Sequence, residues 1–360
     1  MKPSLIALSI HALATVCAVP AAMAQDAPGN VRIQATVPGD WSMQVISDRL
    51  DYPWDVANAG DRFLLTEKAG NIVVIENGRQ RRYALQTSDS IVDEGGAGLL
   101  GMALSRDFAQ SGVAYFYHSY RSDADLANKV IEARFDGDAW RETRVLLEGI
   151  PGHRLYNGGA IGIGPDGHLY VTTGWTGNRE RPQDRASLAG KVLRMTLSGQ
   201  APQDNPFPGS LIYSYGHRNP QGMAWNPAGE LFVVEHGEAG HDEINRIRPG
   251  VNYGWPLVQG AERRDGMEPA WIESGRSTWA PAGAAFAAFA GDELVIAALG
   301  SRELLVMDEG ARALKRVFSS GDRIRDVLPV ARDLYVITTN RSPRGEGRSK
   351  DRLLRLSPRQ

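Results

Sequence analysis

Short apolar triplets recur along the chain, and each is followed by a polar loop and then by a second apolar run. The triplets are Phe63-Leu64-Leu65, Ala114-Tyr115-Phe116, Leu169-Tyr170-Val171, Leu231-Phe232-Val233, Leu294-Val295-Ile296 and Leu334-Tyr335-Val336. The second runs include residues 72–75, 130–133, 191–194 and 353–356. Short runs rich in β-branched and aromatic residues, bounded by turn residues, predict β-strands.

The strand pair occurs six times, and helical periodicity is scarce between the copies. A repeat that contains only strands predicts an all-β fold of the β-propeller type, and six copies predict a six-bladed β-propeller. The 40 glycines and 20 prolines fit many tight turns. Residues 43–46 have no hairpin partner nearby, so we expect them to pair into the last blade and leave no open sheet edge. We expect the propeller to span residues 40–360.

The first residues have the pattern of a secretory signal peptide. Lys2 supplies the positive charge, residues 5–19 form an apolar stretch too short to span a bilayer, and Ala24 ends an Ala-Met-Ala cleavage site. We expect residues 1–24 to be removed, residues 25–39 to form an N-terminal extension, and the protein to be periplasmic or secreted. The single cysteine, Cys17, lies within the leader, so the mature chain has no disulfide, which suits a bacterial periplasm.

The charge pattern excludes some partners. The formal net charge is −2, and no run of Lys and Arg forms a basic patch, so we expect no nucleic-acid partner. After the leader no segment approaches 18 uninterrupted apolar residues, so we expect no membrane span in the mature chain.

Two arginine motifs stand beside Gly- and Pro-rich turns. In Arg323-Ile324-Arg325 the alternation of an extended segment places both guanidinium groups on one face. Arg218 comes from a different repeat. Arginines that converge from several blades would form a charged fork suited to carboxylates. The alternative is that each arginine pairs with a neighbouring aspartate in solvent.

Several longer strings occur in a fixed order along the chain. They are Gly98-Leu99-Leu100-Gly101, Asn157-Gly158-Gly159, Gly164-Pro165-Asp166-Gly167, Ser187-Leu188-Ala189-Gly190-Lys191, Gly216-His217-Arg218-Asn219-Pro220-Gln221-Gly222, Asn252-Tyr253-Gly254-Trp255-Pro256 and Arg323-Ile324-Arg325-Asp326. With these strings the chain resembles the soluble quinoprotein glucose and aldose sugar dehydrogenases, or glucose/sorbosone dehydrogenase family. The resemblance implies a six-bladed propeller that binds pyrroloquinoline quinone (PQQ) with Ca²⁺. It also implies oxidation of the C1 hydroxyl of an aldose sugar, with electrons passed to a diffusible acceptor or a cytochrome.

The resemblance also implies roles for particular residues. Five positions match cofactor-binding positions of the family: Arg218, Asn219, Thr278, Arg323 and Arg325. Gly237 falls where a backbone carbonyl ligates the calcium ion, and Glu238 stands beside it in place of the usual proline. Calcium prefers oxygen ligands, which suits carbonyl and quinone oxygens. A second, structural calcium site of the family is not carried over to this chain, because the stretch after Trp255-Pro256 is short and basic, and the sequence leaves its presence open.

The chain departs from the family where the catalytic base is expected, because Tyr156 replaces the family's histidine. A phenol is a weak base at neutral pH, so activity that depends on Tyr156 is expected to rise in alkali. His153, three positions earlier, is the alternative base. Other family side chains are also missing, at Gly96, Leu155, Ala160, Trp175 and Gly300.

Two functional hypotheses therefore remain open. The chain is either a PQQ-dependent aldose sugar dehydrogenase, or a catalytically degenerate propeller that keeps a pocket for a ligand or quinone. We expect no zinc site. His236 and His241 are spaced unlike a helical zinc pair, and His217 fits a structural hydrogen-bonding role.

Overall fold

The computed structural model describes residues 34–35, 41–123, 125–287, 291–308, 310, 312–345 and 350–358. The predicted leader, 1–24, lies outside these residues, as does the predicted extension except for residues 34–35. Within the described part the chain is almost entirely β, and its one short helix, α1, spans Phe108–Ser111. No helix in that part is long and apolar enough to cross a bilayer.

The strands of the described residues are numbered in chain order. They are β1 (Gln34–Ala35), β2 (Trp41–Leu50), β3 (Pro53–Ala59), β4 (Arg62–Glu67), β5 (Asn71–Glu76), β6 (Arg79–Gln86), β7 (Leu99–Leu104), β8 (Val113–Ser122), β9 (Asp125–Phe135), β10 (Trp140–Pro151), β11 (Gly158–Ile163), β12 (Leu169–Thr173), β13 (Lys191–Met195), β14 (Ile212–Tyr215), β15 (Pro220–Trp225), β16 (Leu231–Glu235), β17 (Glu243–Ile247), β18 (Ile272–Glu273), β19 (Pro281–Ala287), β20 (Glu293–Ala298), β21 (Glu303–Asp308), β22 (Ala313–Phe318), β23 (Ile324–Val330), β24 (Asp333–Thr338) and β25 (Asp351–Pro358).

The strands form five sheets. Three sheets have four strands, in the orders β11-β12-β13-β14, β15-β16-β17-β18 and β2-β25-β24-β23, and a fourth has the order β1-β22-β21-β20-β19. The remaining sheet has eight strands, β3-β4-β5-β6-β10-β9-β8-β7. Its halves are antiparallel meanders, joined by a short parallel pairing in which Trp140 lies opposite Leu85 and Arg141 opposite Gln86. The all-β prediction is confirmed.

The predicted strand pairs are present. The apolar triplets lie in β4, β8, β12, β16, β20 and β24, and β4, β8, β12 and β24 pair antiparallel with the predicted second runs in β5, β9, β13 and β25. The triplets pack between neighbouring sheets. Tyr115 of one meander, for example, shares a buried cluster with Leu169 and Val171 of the next. Fully burying an apolar side chain of this size stabilises the fold by roughly 1.5–3 kcal/mol.

The first strands of the successive meanders contact one another in a closed ring. β3 contacts β7, β7 contacts β11, β11 contacts β15, β15 contacts β19, β19 contacts β23, and β23 returns to β3. The architecture is therefore propeller-like, with the ends of these inner strands grouped around one axis.

Every strand of this inner ring carries a bulge where it pairs with its neighbour. The register shifts lie between Pro53 and Asp55, Leu99 and Met102, Gly158 and Ile161, Pro220 and Gly222, Pro281 and Ala284, and Ile324 and Asp326. A bulge bends the strand and re-aims a side chain, and such bulges are common beside functional sites. Trp54, Gln221 and Arg325 all lie at these shifts.

The predicted pairing of residues 43–46 into the last sheet is confirmed, and β2 becomes the outer strand of that sheet. Strand β2 pairs antiparallel with β25, and Met43 lies opposite Leu356 and Val45 opposite Leu354. The first long strand therefore covers the edge that β25 would otherwise expose.

Candidate functional site

Loops at the ends of the inner strands enclose a cavity of about 540 Å³. All five residues predicted to bind a cofactor line it: Arg218, Asn219, Thr278, Arg323 and Arg325. These residues precede or begin strands β15, β19 and β23, so the closed ring brings together positions that are distant in sequence. Their convergence is a fact of the fold, and their roles toward a ligand remain predictions.

Arg325 lines the cavity. Its Nη1 and Nη2 each donate to Gln221 Oε1 at 3.1 Å, and its Nε donates to the Trp54 carbonyl oxygen at 3.3 Å. The guanidinium also stacks 4.0 Å from the centroid of the Trp54 ring. Burial lowers the pKa of Arg325 to about 10, which leaves it charged at neutral pH. Arg325 is only 5 % exposed, so the alternative of a solvent ion pair is wrong for this residue.

Arg218 is enclosed by aromatic rings. Its guanidinium carbon lies 5.0 Å from the centroid of Tyr156, 5.6 Å from that of Trp175 and 5.2 Å from that of Trp255. One amino group donates to the His236 carbonyl oxygen at 3.1 Å. The buried Nε has no partner among the described residues. The rings fix the plane of the guanidinium and leave a donor for a ligand.

A buried chain of hydrogen bonds holds the backbone of Arg218. Glu235 Oε2 accepts from the Arg218 amide at 2.7 Å, and Glu235 Oε1 lies 2.8 Å from His217 Nδ1. His217 Nε2 lies 2.8 Å from Ser214 Oγ. Burial opposes ionisation of Glu235, but the contacts with His217 and the Arg218 amide hold its pKa below the usual range. Ser214 and His217 are completely buried, so this serine–histidine–glutamate row is structural, as predicted for His217.

Arg323 also has an unsatisfied donor. Its Nε is buried without a partner among the described residues, and burial lowers the pKa of its guanidinium. Its neighbour Ile324 is fully buried in the core, so the two arginines flank it on the cavity side as the alternation predicted. The nearby aspartate Asp322 pairs with Arg352 instead.

Asn219 and Thr278 are held by the surrounding loops. Asn219 Oδ1 accepts from the Gly158 amide at 3.2 Å and from Gln221 Nε2 at 3.3 Å. Thr278 Oγ1 donates to Asp242 Oδ2 at 2.9 Å. Both side chains are therefore oriented before any ligand binds.

Tyr156 lines the cavity, whereas His153 lies behind it. The imidazole of His153 stacks on the phenol ring at a centroid distance of 5.0 Å and an interplanar angle of 9°. His153 Nδ1 accepts from the Leu155 amide at 3.0 Å, and burial lowers the pKa of this histidine, so it is neutral at pH 7. Of the two predicted bases, only Tyr156 faces the cavity.

The two predicted metal-site residues separate. Gly237 lines the cavity, and its amide donates to Asp242 Oδ1 at 3.0 Å. The side chain of Glu238 is 49 % exposed and lies 3.8 Å from Arg179. The part of the chain that the structure describes contains no cluster of three His, Cys, Asp or Glu side chains that could hold a metal ion. A cation here would therefore depend on backbone carbonyls and on the ligand itself.

The cavity wall is strongly cationic. Its charged basic residues are Lys68, Arg218, Arg276, Arg323, Arg325 and Arg344. Asp242 supplies the one carboxylate among the described lining residues, and its oxygens already accept from Gly237, Thr278, Trp279 and Ala280. His236 stays neutral, because burial lowers its pKa to about 4. Such a wall favours a ligand with several negative charges.

Sequence reasoning missed several lining residues, chiefly Tyr52, Trp54, Lys68 and Gln221. Trp54 and Gln221 lie at β-bulges, and no local sequence pattern predicts these bulges. Tyr52 and Lys68 lie beside the first meander, whose contact with β23 exists only after the ring closes. For Gln221 the available signal was its place within the Gly-His-Arg-Asn-Pro-Gln-Gly string.

Comparison with known proteins gives concordant matches. The family model described as Glucose / Sorbosone dehydrogenase matches residues 50–347. The aldose sugar dehydrogenase YliI of Escherichia coli strain K12 is 32 % identical over 357 residues, which covers 89 % of this chain and 94 % of the relative. The quinoprotein glucose dehydrogenase B of Acinetobacter calcoaceticus is 34 % identical over 256 residues, covering 61 % of this chain and 53 % of the relative.

Solved structures agree with these matches. The PQQ-bound aldose sugar dehydrogenase of Streptomyces coelicolor superposes with a TM-score of 0.79 at 32 % identity, covering 89 % of this chain and 99 % of that one. The soluble aldose sugar dehydrogenase of Escherichia coli in its apo-form gives a TM-score of 0.78 at 31 % identity, covering 89 % and 100 %.

Proposed function

Because the chain belongs to the glucose/sorbosone dehydrogenase family, we propose that it is a PQQ-dependent sugar dehydrogenase that oxidises the C1 hydroxyl of an aldose. The observation that carries this proposal is the cationic cavity, in which two buried guanidinium groups, those of Arg218 and Arg323, keep an Nε–H without a partner among the described residues. PQQ carries three carboxylates and two quinone oxygens, and unsatisfied buried donors are matched to such acceptors. The residues present therefore fit this cofactor.

When bound, PQQ would supply the electrophilic quinone that accepts a hydride from the sugar. Arg323 and Arg325 would bind its carboxylates, and Arg218 and Asn219 would hold its quinone edge. The aromatic enclosure of Arg218 and the contacts of Arg325 with Gln221 and Trp54 fix these guanidinium groups in advance. Preorganised charge of this kind needs little rearrangement when the ligand arrives.

Removal of the hydroxyl proton falls to Tyr156 in this proposal. Its ring lines the cavity and lies 5.0 Å from the Arg218 guanidinium carbon. His153 would act through Tyr156 by fixing its ring, since the two are stacked.

Calcium would be held by the Gly237 carbonyl together with oxygens of the cofactor. The loop that carries Gly237 is tightly folded: a Cβ at this residue would lie 2.1 Å from the His241 carbonyl oxygen. A hard cation accepts such carbonyl ligands. The Glu238 side chain, which faces Arg179, would take no part.

Two further elements belong to the proposal. The ring of first strands supports six blades if each half of the eight-stranded sheet counts as one blade. The leader pattern in residues 1–24 supports export to the periplasm, where an electron acceptor would be a diffusible molecule or a cytochrome.

Reconstitution tests the proposal. Apo-protein is titrated with PQQ in the presence of Ca²⁺, binding is followed by absorbance, and dye reduction is then measured with a panel of aldoses. Binding followed by aldose-dependent reduction is the expected result. A wild-type protein that binds no PQQ contradicts the proposal.

The alternative function is a ligand-binding propeller without dehydrogenase activity. The observation that favours it is Tyr156, a poorer proton acceptor than imidazole, on the cavity wall. PQQ binding without turnover of any aldose, at neutral or alkaline pH, would support this alternative.

A further inference from the structure

Tyr52 has an unusual backbone conformation. Its φ is +56°, in the left-handed region that side chains other than glycine seldom adopt. Hydrogen bonds on both sides hold it there: its amide donates to Asp351 Oδ2 at 3.1 Å, and its carbonyl oxygen accepts from the Lys68 amide at 3.2 Å. Strain that the surrounding structure maintains often marks a functional position. Here it turns the Tyr52 side chain into the wall of the cationic cavity.

The Tyr52 ring lies between two cations. The Lys68 ammonium is 4.3 Å from the ring centroid, and the Arg341 guanidinium carbon is 4.4 Å from it. Asp93 is shared by both cations, 2.9 Å from Lys68 Nζ and 3.6 Å from Arg341. Both cations attract the face of the phenol ring, and their positive charge makes its hydroxyl a stronger hydrogen-bond donor.

The Tyr52 hydroxyl makes no hydrogen bond within the residues that the structure describes, although the side chain is only 6 % exposed. Burial raises the pKa of Tyr52 to about 12, so the hydroxyl keeps its proton and acts as a donor at neutral pH. Arg323 lies close enough to influence this pKa, and its buried Nε–H also lacks a partner among the described residues. Two unsatisfied donors therefore stand on one side of the cavity, where β23 meets β3.

We propose that Tyr52 and Arg323 form a carboxylate-binding subsite of the cavity, with Lys68 and Arg341 fixing the phenol ring. A carboxylate is the acceptor that satisfies both a guanidinium N–H and a hydroxyl. It would come either from the quinone cofactor or from an acidic sugar substrate, and in both cases the inference rests on the proposed function.

The test compares Tyr52→Phe with the matched control Tyr83→Phe. The first change removes only the hydroxyl and keeps the ring between its cations. Tyr83→Phe also removes one phenol hydroxyl, but Tyr83 lies in β6, away from the cavity. Its ring packs edge-on to Phe135 at a centroid distance of 5.1 Å. Three quantities are measured for each variant. They are the affinity for PQQ by absorbance titration, the affinity for isophthalate by calorimetry, and the ratio of kcat/KM for glucuronate to kcat/KM for glucose. Thermal unfolding checks that each variant folds.

Loss of one hydrogen bond to a charged group weakens binding roughly tenfold or more. Weaker PQQ and isophthalate binding in Tyr52→Phe, with an unchanged sugar ratio, assigns the carboxylate to the cofactor. A fall in the glucuronate-to-glucose ratio with unchanged PQQ affinity assigns it to the substrate. Equal values of all three measurements in wild type and Tyr52→Phe overturn the subsite.

Arg323→Gln supplies an independent measurement. If Tyr52 and Arg323 bind the same carboxylate, the double variant loses less affinity than the sum of the two single losses. Strict additivity contradicts a shared ligand. If the wild-type protein binds no PQQ and turns over no sugar, the proposed function fails, and isophthalate binding alone then decides whether the subsite exists.

Discussion

Two cavities lie next to each other in the ring of inner strands, and their chemistry is opposite. The larger, about 540 Å³, is lined by cations, while the smaller, about 170 Å³, is lined by Asp55 and Asp326 among mainly apolar residues. They share Trp54 and Gln221 in their walls. Arg325 and Asp326 are consecutive in sequence, yet one lines the cationic cavity and the other the acidic one.

Successive side chains of an extended strand point to opposite faces, so Arg325 and Asp326 of β23 face different cavities. In the smaller cavity the two carboxyls share a hydrogen bond. Burial, and then the charge of Asp326, raise the pKa of Asp55 well above its usual range. Burial raises that of Asp326 to about 6. The larger cavity is lined by positive charge, whereas the smaller one contains two carboxyls whose pKa values are raised by burial.

Arg325→Met should reduce the difference in charge between the two cavities, and among these variants it should have the largest effect on PQQ affinity. It removes the charge between them and leaves Gln221 Oε1 without its donors. We expect PQQ affinity to fall by about a hundredfold or more, the scale for a lost charge-assisted fork. Arg325→Lys should recover part of the affinity, since it keeps charge without the planar fork.

The control for this variant is Arg144→Met, which removes an exposed arginine paired with Glu132. It should leave PQQ affinity unchanged. Equal affinities for wild type and Arg325→Met in a folded protein would remove Arg325 from the site.

Tyr156→Phe tests the larger cavity alone. It should abolish aldose turnover while PQQ affinity and thermal stability stay near wild type, since the hydroxyl makes no hydrogen bond among the described residues. Tyr156→His should raise the rate near pH 7, because imidazole accepts a proton there more readily than a phenol does. The measurement is a pH–rate profile of the three forms with saturating PQQ and Ca²⁺. Undiminished turnover in Tyr156→Phe would direct attention to His153.

Asp55→Asn tests the smaller cavity alone. Asp55 Oδ2 accepts from the Met102 amide at 2.9 Å, and an asparagine can keep this bond while its amide donates to Asp326 in place of the shared proton. A carboxyl with a raised pKa binds its proton more tightly in the folded state. The wild type therefore loses stability as the pH rises from about 4 through the raised pKa.

The Asp55→Asn variant lacks that loss, so its advantage should grow with pH and reach about 1 kcal/mol or more at pH 8. Denaturant unfolding at pH 5 and pH 8 measures it, with PQQ affinity expected to be unchanged. An advantage that is equal at both pH values would show that the carboxyls do not share a proton.

Glu238→Gln should have the smallest effect. The side chain is outside both cavities and about half exposed, beside Arg179. Surface pairs of this kind contribute about 0–1 kcal/mol. We expect the Ca²⁺ concentration needed for half-maximal activation to change less than about twofold. A large change in this Ca²⁺ concentration would indicate that the Glu238 carboxylate is a calcium ligand.

Much of the fold could be predicted, because each apolar triplet by itself indicates a buried strand. The pairing of residues 43–46 with β25 followed from the need to cover an edge. The bulges could not be predicted, since they depend on how each inner strand meets its neighbours in the ring.

In the candidate site too, residues in a local sequence pattern could be predicted, whereas residues placed by tertiary contacts could not. Arg323 and Arg325 were predictable from alternation around the buried Ile324. Tyr52 was not, because its place in the cavity wall depends on a left-handed backbone conformation that contacts with Asp351 and Lys68 maintain. The resemblance named Gly237 and Glu238 together, whereas in the structure Gly237 lines the cavity and the Glu238 side chain lies beside Arg179.

The pairing of β2 with β25 has a mechanical consequence. Trp41 lies opposite Pro358 at one end of this ladder, and Leu50 lies opposite Asp351 at the other. A force that pulls Trp41 away from Pro358 acts across the strands, so it breaks the backbone hydrogen bonds one at a time, like a zipper. Thermal agitation has no such direction and must disrupt the packing of whole sheets. The β2–β25 pair, which resists thermal unfolding together with the packed sheets, is therefore the place where a modest force would begin to open the fold.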